Sequence, residues 1–198
     1  MAKRVFDLVF SALVLSALAP VLFMIALWVA LDSPGPVFFR QIRVGQHGRE
    51  FRIYKFRTMR INAERTGPQI TVGADDRITR AGAFLRKYKL DELPQFINVV
   101  CGDMSIVGPR PEVPRFVALY PAHLRDLVLS VRPGITDQAS IEFRDENALL
   151  GTSSNPEATY VEQIMPIKLN YYASYATERS FAGDLMLIWR TAIAVFAR

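Results

Sequence analysis

The chain is poor in the residues that form disulfides and zinc sites. Its 198 residues include one cysteine, Cys101, and two histidines, His47 and His123. A single cysteine excludes an intrachain disulfide, and the two histidines have no partners at the spacing of zinc ligands. We expect Cys101 to be a small core residue. The chemistry of this protein therefore has to come from other side chains.

The segment from Leu8 to Leu31 contains no charged residue. As one helix, this segment could cross a bilayer core about 30 Å thick. Pro20 lies in its middle, where it removes a backbone hydrogen bond, and each half alone is too short to span. Cations flank the segment on both sides: Lys3 and Arg4 before it, and Arg40, Arg43, Arg49 and Arg52 after it. The positive-inside rule therefore gives no orientation for a span.

Three interpretations of this segment stay open. We favour a re-entrant helix–break–helix over residues 1–32 that enters and leaves the same leaflet, because it accounts for both the proline and the cations. The carbonyl freed by Pro20 then needs a partner, which the Ser16 hydroxyl could supply. The alternatives are a single spanning helix and a signal peptide cleaved after Ala19, although a proline directly after that site should block cleavage.

Residues 33–198 are predicted to form one catalytic domain associated with the membrane. Hydrophobic residues make up 51% of the chain and the net charge is +5, which suits anionic lipid headgroups, phosphorylated substrates or nucleic acid. Alternating runs at 37–44 and 51–57 predict a β-hairpin, and 62–76 predicts a polar loop. Helical patterns occur at 81–88 (capped by Thr79), 93–100, 113–120, 124–131, 157–176 (with a break near Pro166) and 185–196, with strand or extended loop at 135–143. The predicted fold is α/β and monotopic: a re-entrant helix, a small hairpin and several interfacial amphipathic helices.

Two adjacent carboxylates, Asp91 and Glu92, precede an apolar helical pattern. A helix beginning near Asp91, with Pro94 in its first turn, would stabilise a carboxylate or a phosphate at its N-terminus. Successive helical residues point about 100° apart, so the two carboxylates can hold separate roles as nucleophile, metal ligand or hydrogen-bond acceptor. An aspartate that attacks phosphorus forms an acyl phosphate. The alternative is a plain helix N-cap.

Arg110 is the natural cationic partner for Asp91 in phosphate chemistry. Pro109 and Pro111 fix the backbone on either side of it, and arginine can grip a phosphate with two parallel hydrogen bonds. The alternative is a rigid surface turn that happens to contain an arginine. Further candidate phosphate-binding cations are Lys55 and Arg57 on one face of the second strand, and Arg86 on the helix 81–88. These could equally form a solvated basic surface.

In their order along the chain, five motifs resemble the bacterial sugar transferase family, the small monotopic phosphoglycosyl transferases. They are 54–59 (YKFRTM), 90–95 (LDELPQ), 102–105 (GDMS), 107–111 (VGPRP) and 132–136 (RPGIT), within a likeness that extends from about residue 3 to residue 191. Several long motifs in matching order are far more specific than any one of them.

The resemblance implies transfer of a sugar-1-phosphate from a UDP-sugar to undecaprenyl phosphate, with release of UMP, as the first membrane step of glycan assembly. It implies that Asp91 is the nucleophile, that Glu92 assists or binds metal, that Mg²⁺ is the cofactor held by Asp91 and Glu92, and that Arg110 binds phosphate. It places the enzyme at the cytosolic face of the bacterial inner membrane, in contact with membrane lipid. A homodimer is compatible with the sequence.

The sequence departs from the family pattern at two places. Ala19 precedes Pro20 where the family usually has serine, so Ser16 could supply the hydroxyl. Asp137 and Gln138 stand where many members have Gly-Trp, so no sugar is inferred. Two rival functions stay open: a glycosyltransferase that moves the sugar alone and releases UDP, and a non-catalytic module that binds anionic lipid or a partner. A nucleic-acid partner is not expected, because no recognised binding motif occurs.

Overall fold

The computed structural model describes residues 2–61, 63 and 75–196 and shows a helix-rich α/β protein with short strands. Its first half contains α1 (Ala2–Asp32), β1 (Phe38–Val44), β2 (Glu50–Phe56), α2 (Arg80–Lys87), α3 (Gln95–Cys101) and β3 (Ser105–Val107). Its second half contains α4 (Pro114–Val117), α5 (Ala122–Val128), β4 (Gly134–Thr136), α6 (Gln138–Glu142), α7 (Glu146–Gly151), α8 (Pro156–Thr159), α9 (Met165–Glu178) and α10 (Phe181–Phe196). The polar loop predicted over 62–76 falls almost entirely outside the described residues.

The N-terminal segment is one helix. α1 continues through Pro20, so the predicted break in the helix is wrong. A proline removes a single hydrogen bond, and a helix can continue past it with a bend at most. Pro20 and Ser16 both lie at exposed positions. Among the described residues, α1 is the one helix long and apolar enough to cross a membrane, judged by length and composition.

Both ends of α1 pack against the rest of the protein. Near its start, Phe6 and Phe10 join a core cluster that is built from β2, α3 and β3. Near its end, Ile25 and Val29 join a second cluster with β2 and α2. Both ends of the helix are therefore fixed to the globular part of the protein, and its middle is largely exposed.

The predicted hairpin is confirmed. β1 and β2 pair antiparallel, in a register that runs from Phe38 opposite Phe56 to Val44 opposite Glu50. On the inner face of β2, Ile53 is buried against the core, and Lys55 follows two residues later on the same face. The hairpin therefore carries Lys55 toward the segment that follows α2.

A two-stranded parallel sheet supports the proline-flanked arginine. β3 pairs with β4, with Ser105 opposite Gly134. A Cβ added to Gly134 would lie 2.1 Å from the backbone nitrogen of Gly108. The two segments of backbone can approach this closely only because residue 134 has no side chain. This contact seats the loop that begins at Gly108 directly on the segment that enters β4.

The other local predictions have mixed outcomes. Thr79 caps α2 as expected, and its hydroxyl accepts from the Gly82 amide at 3.0 Å. The strand predicted at 135–143 is wrong after Thr136, because Asp137 caps α6 and accepts from the Ser140 amide at 2.9 Å. A π-helical turn, Tyr160–Ile164, interrupts the predicted helix of 157–176 just before Pro166. Cys101 is exposed, so its expected place in the core is wrong.

Candidate active site

Asp91 and Glu92 lie in a 3₁₀ turn, Leu90–Glu92, and not at the start of an α-helix. Lys89 enters this turn in the left-handed conformation, with φ 57°. The turn is closed by bonds to the third residue back, such as the Leu93 amide to the Leu90 carbonyl at 3.3 Å. α3 begins only after Pro94, where the missing N–H of proline does no harm. The predicted helix N-terminus at Asp91 is therefore wrong by about one turn.

The carboxylate of Glu92 joins two cations from different parts of the chain. Its Oε1 accepts from Lys55 Nζ at 2.8 Å and from Arg110 Nη2 at 2.5 Å, and its Oε2 accepts from Arg110 Nη1 at 3.3 Å. Both oxygens thus face the guanidinium in a two-pronged contact. The structure brings together Lys55, Glu92 and Arg110, and the bonded partner of Arg110 is Glu92, not Asp91.

Burial and the charges of the neighbouring residues together shift the pKa of Lys55, Glu92 and Arg110. Burial alone would raise the pKa of Glu92, but the positive charges of Arg110 and Lys55 bring it well below its usual value. The negative charge of Glu92 raises the pKa of Arg110. Burial lowers the pKa of Lys55, and the charge of Glu92 opposes that shift. Glu92 is therefore ionised at neutral pH and serves as the counter-ion of both cations.

Asp91 has the opposite environment. Its residue is 8% exposed, and its Oδ1 is buried without a hydrogen-bond partner. Burial raises the pKa of Asp91, as does the neighbouring charge of Glu92, while Lys55 and Arg86 lower it. A carboxylate oxygen without a hydrogen bond is more basic than a bonded one. The basicity of such an oxygen suits a nucleophile or a metal ligand.

The two remaining predicted cations have different positions. Arg86 lies on α2, where its Nε donates to Thr58 Oγ1 at 2.8 Å and its charge acts on Asp91. Arg57 lies one residue beyond β2, and its Nη2 donates to the carbonyls of Ser33 at 2.5 Å and Val29 at 3.1 Å. The structure therefore does not bring Arg57 to the cluster, and its guanidinium holds the C-terminal end of α1 in place.

Behind the arginine loop lies a charged group that the sequence analysis missed. Arg43 Nη1 donates to the Pro111 carbonyl at 3.0 Å and lies 3.5 Å from Glu112 Oε2. The Tyr160 hydroxyl donates to Glu112 Oε1 at 2.5 Å. Glu112 directly follows the PRP motif and could have been noticed for that reason. Nothing in the sequence links it to a tyrosine 48 residues away.

The acidic pair fits a metal only in part. Within the described ranges, no group of three or more His, Cys, Asp or Glu side chains could hold an ion. Mg²⁺ is commonly bound by one or two carboxylates, with substrate phosphates and water completing its shell. The free Oδ1 of Asp91 is a suitable hard donor for that arrangement. Both oxygens of Glu92 already accept from cations, so Glu92 is not placed as a ligand.

Comparison with known proteins gives consistent results. The chain matches the family model described as bacterial sugar transferase over residues 1–198. It is 43% identical over 191 residues to the UDP-N-acetylgalactosamine-undecaprenyl-phosphate N-acetylgalactosaminephosphotransferase of Aeromonas hydrophila, covering 96% of this chain and 42% of that protein. It is 39% identical over 197 residues to the UDP-glucose:undecaprenyl-phosphate glucose-1-phosphate transferase of Escherichia coli K12, covering 98% and 40%.

A third relative is shorter. The UDP-glucose:undecaprenyl-phosphate glucose-1-phosphate transferase of Caulobacter vibrioides is 37% identical over 193 residues, covering 96% of this chain and 67% of that protein. The chain thus spans about two fifths of the first two relatives and two thirds of the third. The match over its whole length and these identities show that the chain belongs to the bacterial sugar transferase family.

Proposed function

We propose that this protein transfers a sugar-1-phosphate from a UDP-sugar to undecaprenyl phosphate and releases UMP. The observation that carries the proposal is the buried Asp91 carboxylate, whose Oδ1 has no partner, beside the Lys55–Glu92–Arg110 trio. The relatives are named as transferases of this kind, with N-acetylgalactosamine as the sugar in one and glucose in others. Because those sugars differ, we propose a UDP-sugar as the donor without naming its sugar.

The reaction has two displacement steps. In the first, an oxygen of Asp91 attacks the phosphorus that bears the sugar, the bond from that phosphorus to the bridging oxygen breaks, and UMP leaves with the electron pair. In the second, an oxygen of undecaprenyl phosphate attacks the same phosphorus, and the bond to Asp91 breaks. The carboxylate of Asp91 is regenerated, and the product is a polyprenyl diphosphate sugar.

The surrounding residues support these steps electrostatically. Arg110 and Lys55 supply positive charge where the leaving phosphate gains negative charge, and Glu92 holds both cations in place before substrate arrives. Arg86 favours the ionised, nucleophilic form of Asp91 because its charge opposes the effect of burial. Bound Mg²⁺, held by Asp91 and substrate oxygens, would supply further charge neutralisation.

We propose a monotopic arrangement at the cytosolic face of the inner membrane, and the packing of α1 supports its monotopic part. Polar contacts tie both ends of the helix to the same globular body. Asp7 Oδ2 accepts from the Ser105 hydroxyl at 2.8 Å, and Asp32 Oδ2 accepts from the Ala81 amide at 3.0 Å. A straight helix between these two aspartates would be about 37 Å long, which exceeds the hydrocarbon core. A spanning helix would separate these contacts by the whole bilayer, so we propose that α1 bends at Pro20 and thereby enters and leaves one leaflet.

Nucleotide release from the purified full chain tests the proposed function. The protein in detergent is mixed with Mg²⁺, undecaprenyl phosphate and each member of a panel of UDP-sugars. We expect UMP with at least one sugar, and at least a 1,000-fold slower release in Asp91→Asn. The matched control is Asp126→Asn, since the side chain of Asp126 is 80% exposed on α5.

The alternative outcomes identify the rivals. Release of UDP would show transfer of the sugar alone and overturn the proposal. Near-normal UMP release from Asp91→Asn would keep the reaction and remove Asp91 as the nucleophile. Absence of any nucleotide across the panel would favour a binding module, which predicts that the protein leaves anionic liposomes when basic charge is removed.

A further inference from the structure

The loop that presents Arg110 is held by its carbonyl groups. Pro109 and Pro111 have no N–H, so their backbone hydrogen bonds are the ones that their carbonyls accept. The Gly134 amide donates to the Pro109 carbonyl at 2.9 Å, and Arg43 Nη1 donates to the Pro111 carbonyl at 3.0 Å. The Pro109 carbonyl is therefore held by backbone, whereas the Pro111 carbonyl is held by the side chain of Arg43. Displacement of that side chain would remove the hydrogen bond to Pro111.

Arg43 needs a counter-charge at this position. Its side chain is 19% exposed, and its Nε is buried without a hydrogen-bond partner. Burial lowers the pKa of Arg43, and the charge of Glu112 opposes this effect, while the nearby Arg110 adds to it. Two guanidinium groups near each other repel unless an anion lies beside them. Glu112 is the acid that forms an ion pair with Arg43, at 3.5 Å, while Arg43 Nη2 donates to the neutral Gln41 Oε1 at 2.6 Å.

Glu112 is itself fixed from two directions. Its backbone carbonyl accepts from the Val44 amide at 2.9 Å, which ties it to the end of β1. Its Oε1 accepts from the hydroxyl of Tyr160, a residue that is 4% exposed. Tyr160 is the first residue of the π-helical turn, a rare conformation that is often found at functional sites. The ring of Phe116 packs against the Tyr160 ring, with 5.0 Å between the ring centroids, and limits the movement of Tyr160.

We propose that Glu112 is a positioning residue for Arg110. Held by Tyr160, it keeps Arg43 on the Pro111 carbonyl and so fixes the loop that aims Arg110 at Glu92 and at the substrate phosphate. The part that concerns substrate rests on the proposed function. The arrangement requires the negative charge of Glu112 and not merely its volume. It acts through Arg110, so its effect should disappear when Arg110 can no longer form its two-pronged contact.

A double-mutant cycle on UMP release tests this dependence in the full chain. Glu112→Gln keeps the shape of the side chain and removes its charge, and we expect kcat/KM for the UDP-sugar to fall roughly 10- to 100-fold. In an Arg110→Lys background, the same change should cost less than about 3-fold, because there is no guanidinium left to aim. The matched control is Glu157→Gln, which removes the exposed partner of Arg115 and should leave the rate unchanged. Additive losses would overturn the proposal.

A second readout does not depend on activity. In protein labelled with ¹⁵N-arginine, the side-chain NMR signal of Arg110 is identified by its loss in Arg110→Lys. We expect Glu112→Gln, and the milder Tyr160→Phe, to shift or broaden that signal, whereas Glu157→Gln leaves it in place. An unmoved signal overturns the proposal even when the enzyme is active. If the wild-type protein releases no UMP, the proposed function fails, and this measurement alone decides the role of Glu112.

Discussion

Asp91 and Glu92 are consecutive residues of one 3₁₀ turn, yet their carboxylates have opposite environments. Glu92 accepts three hydrogen bonds from Lys55 and Arg110, whereas Asp91 Oδ1 is buried with none. The pKa of Glu92 is held well below its usual value, and that of Asp91 is raised. One acid is thus a fixed counter-ion and the other has a free oxygen and a raised pKa, a separation typical of sites where two carboxylates have different roles.

Neutralising these two acids should change stability in opposite directions. Glu92→Gln leaves Arg110 and Lys55 without their counter-ion and should lower the free energy of unfolding by about 3 kcal/mol. Asp91→Asn should raise it, because a raised folded-state pKa means that ionised Asp91 destabilises the fold at neutral pH. Thermal unfolding in detergent, followed by circular dichroism, measures both variants.

The pH dependence of this stability provides the control. The gain in Asp91→Asn should be present at neutral pH and should shrink as the pH falls through the raised folded pKa of Asp91, until it is gone below the unfolded pKa of aspartate, where both states are protonated. The contribution of Glu92 has the reverse sign. It is present above the unfolded pKa of glutamate and is lost as the pH falls through the lowered folded value. A neutral-pH loss of stability in Asp91→Asn would contradict this account of the site.

The rate of UMP release should decline on the acid side as Asp91 becomes protonated. Burial and the charge of Glu92 raise its pKa, so the decline should begin at a higher pH than for an ordinary aspartate, with a tenfold loss per pH unit below it. Arg86→Gln removes a charge that lowers this pKa and should move the decline to higher pH. Arg80→Gln removes an exposed charge from the same helix and should leave it in place. A shift to lower pH in Arg86→Gln would contradict the role assigned to Arg86.

Local signals predicted the parts of the fold that depend on nearby residues. Alternating residues in β2 predicted the hairpin, and Thr79 predicted the start of α2. Both signals were sufficient because strand pairing across a short turn and helix capping involve few residues. The adjacent acids at 91 and 92 indicated a candidate site, and their roles in it stay predictions. Their different environments were not predictable in detail, since the cations that bond Glu92 lie 18 and 37 residues away from it in the chain.

The incorrect predictions have identifiable causes. A helix beginning at Asp91 was expected from the apolar spacing, but the turn before Pro94 adopts shorter-range bonds and delays α3. Alternation along β2 placed Arg57 beside Lys55, yet the strand ends at Phe56 and Arg57 bonds to the end of α1. Glu112 and Tyr160 could not be paired from sequence, because the fold alone brings the π-helical turn to the arginine loop.

Variants of Arg57 test whether this residue binds substrate or only stabilises the fold. Arg57→Gln should remove its hydrogen bonds to the Ser33 and Val29 carbonyls and lower the free energy of unfolding by roughly 1–3 kcal/mol. The KM for the UDP-sugar should not change, because the guanidinium lies away from the Asp91 cluster. Lys55→Gln, in contrast, should impair UMP release about tenfold or more. A raised KM with unchanged stability in Arg57→Gln would place Arg57 in the substrate site after all.

The two ends of α1 should lie on the same side of the membrane. Near the start of the helix, Lys3 Nζ lies 2.6 Å from Asp184 Oδ2 of α10, and at its end Asp32 accepts from the Ala81 amide of α2. Both contacts belong to one globular body, which cannot lie on two sides of a bilayer at once. Single cysteines in place of Ala2 and Arg40, in a Cys101→Ala background, should therefore react with a membrane-impermeant maleimide only after cells are opened. Labelling of the Ala2 variant, but not the Arg40 variant, in intact spheroplasts would establish a spanning helix and show that one set of contacts is broken in the membrane.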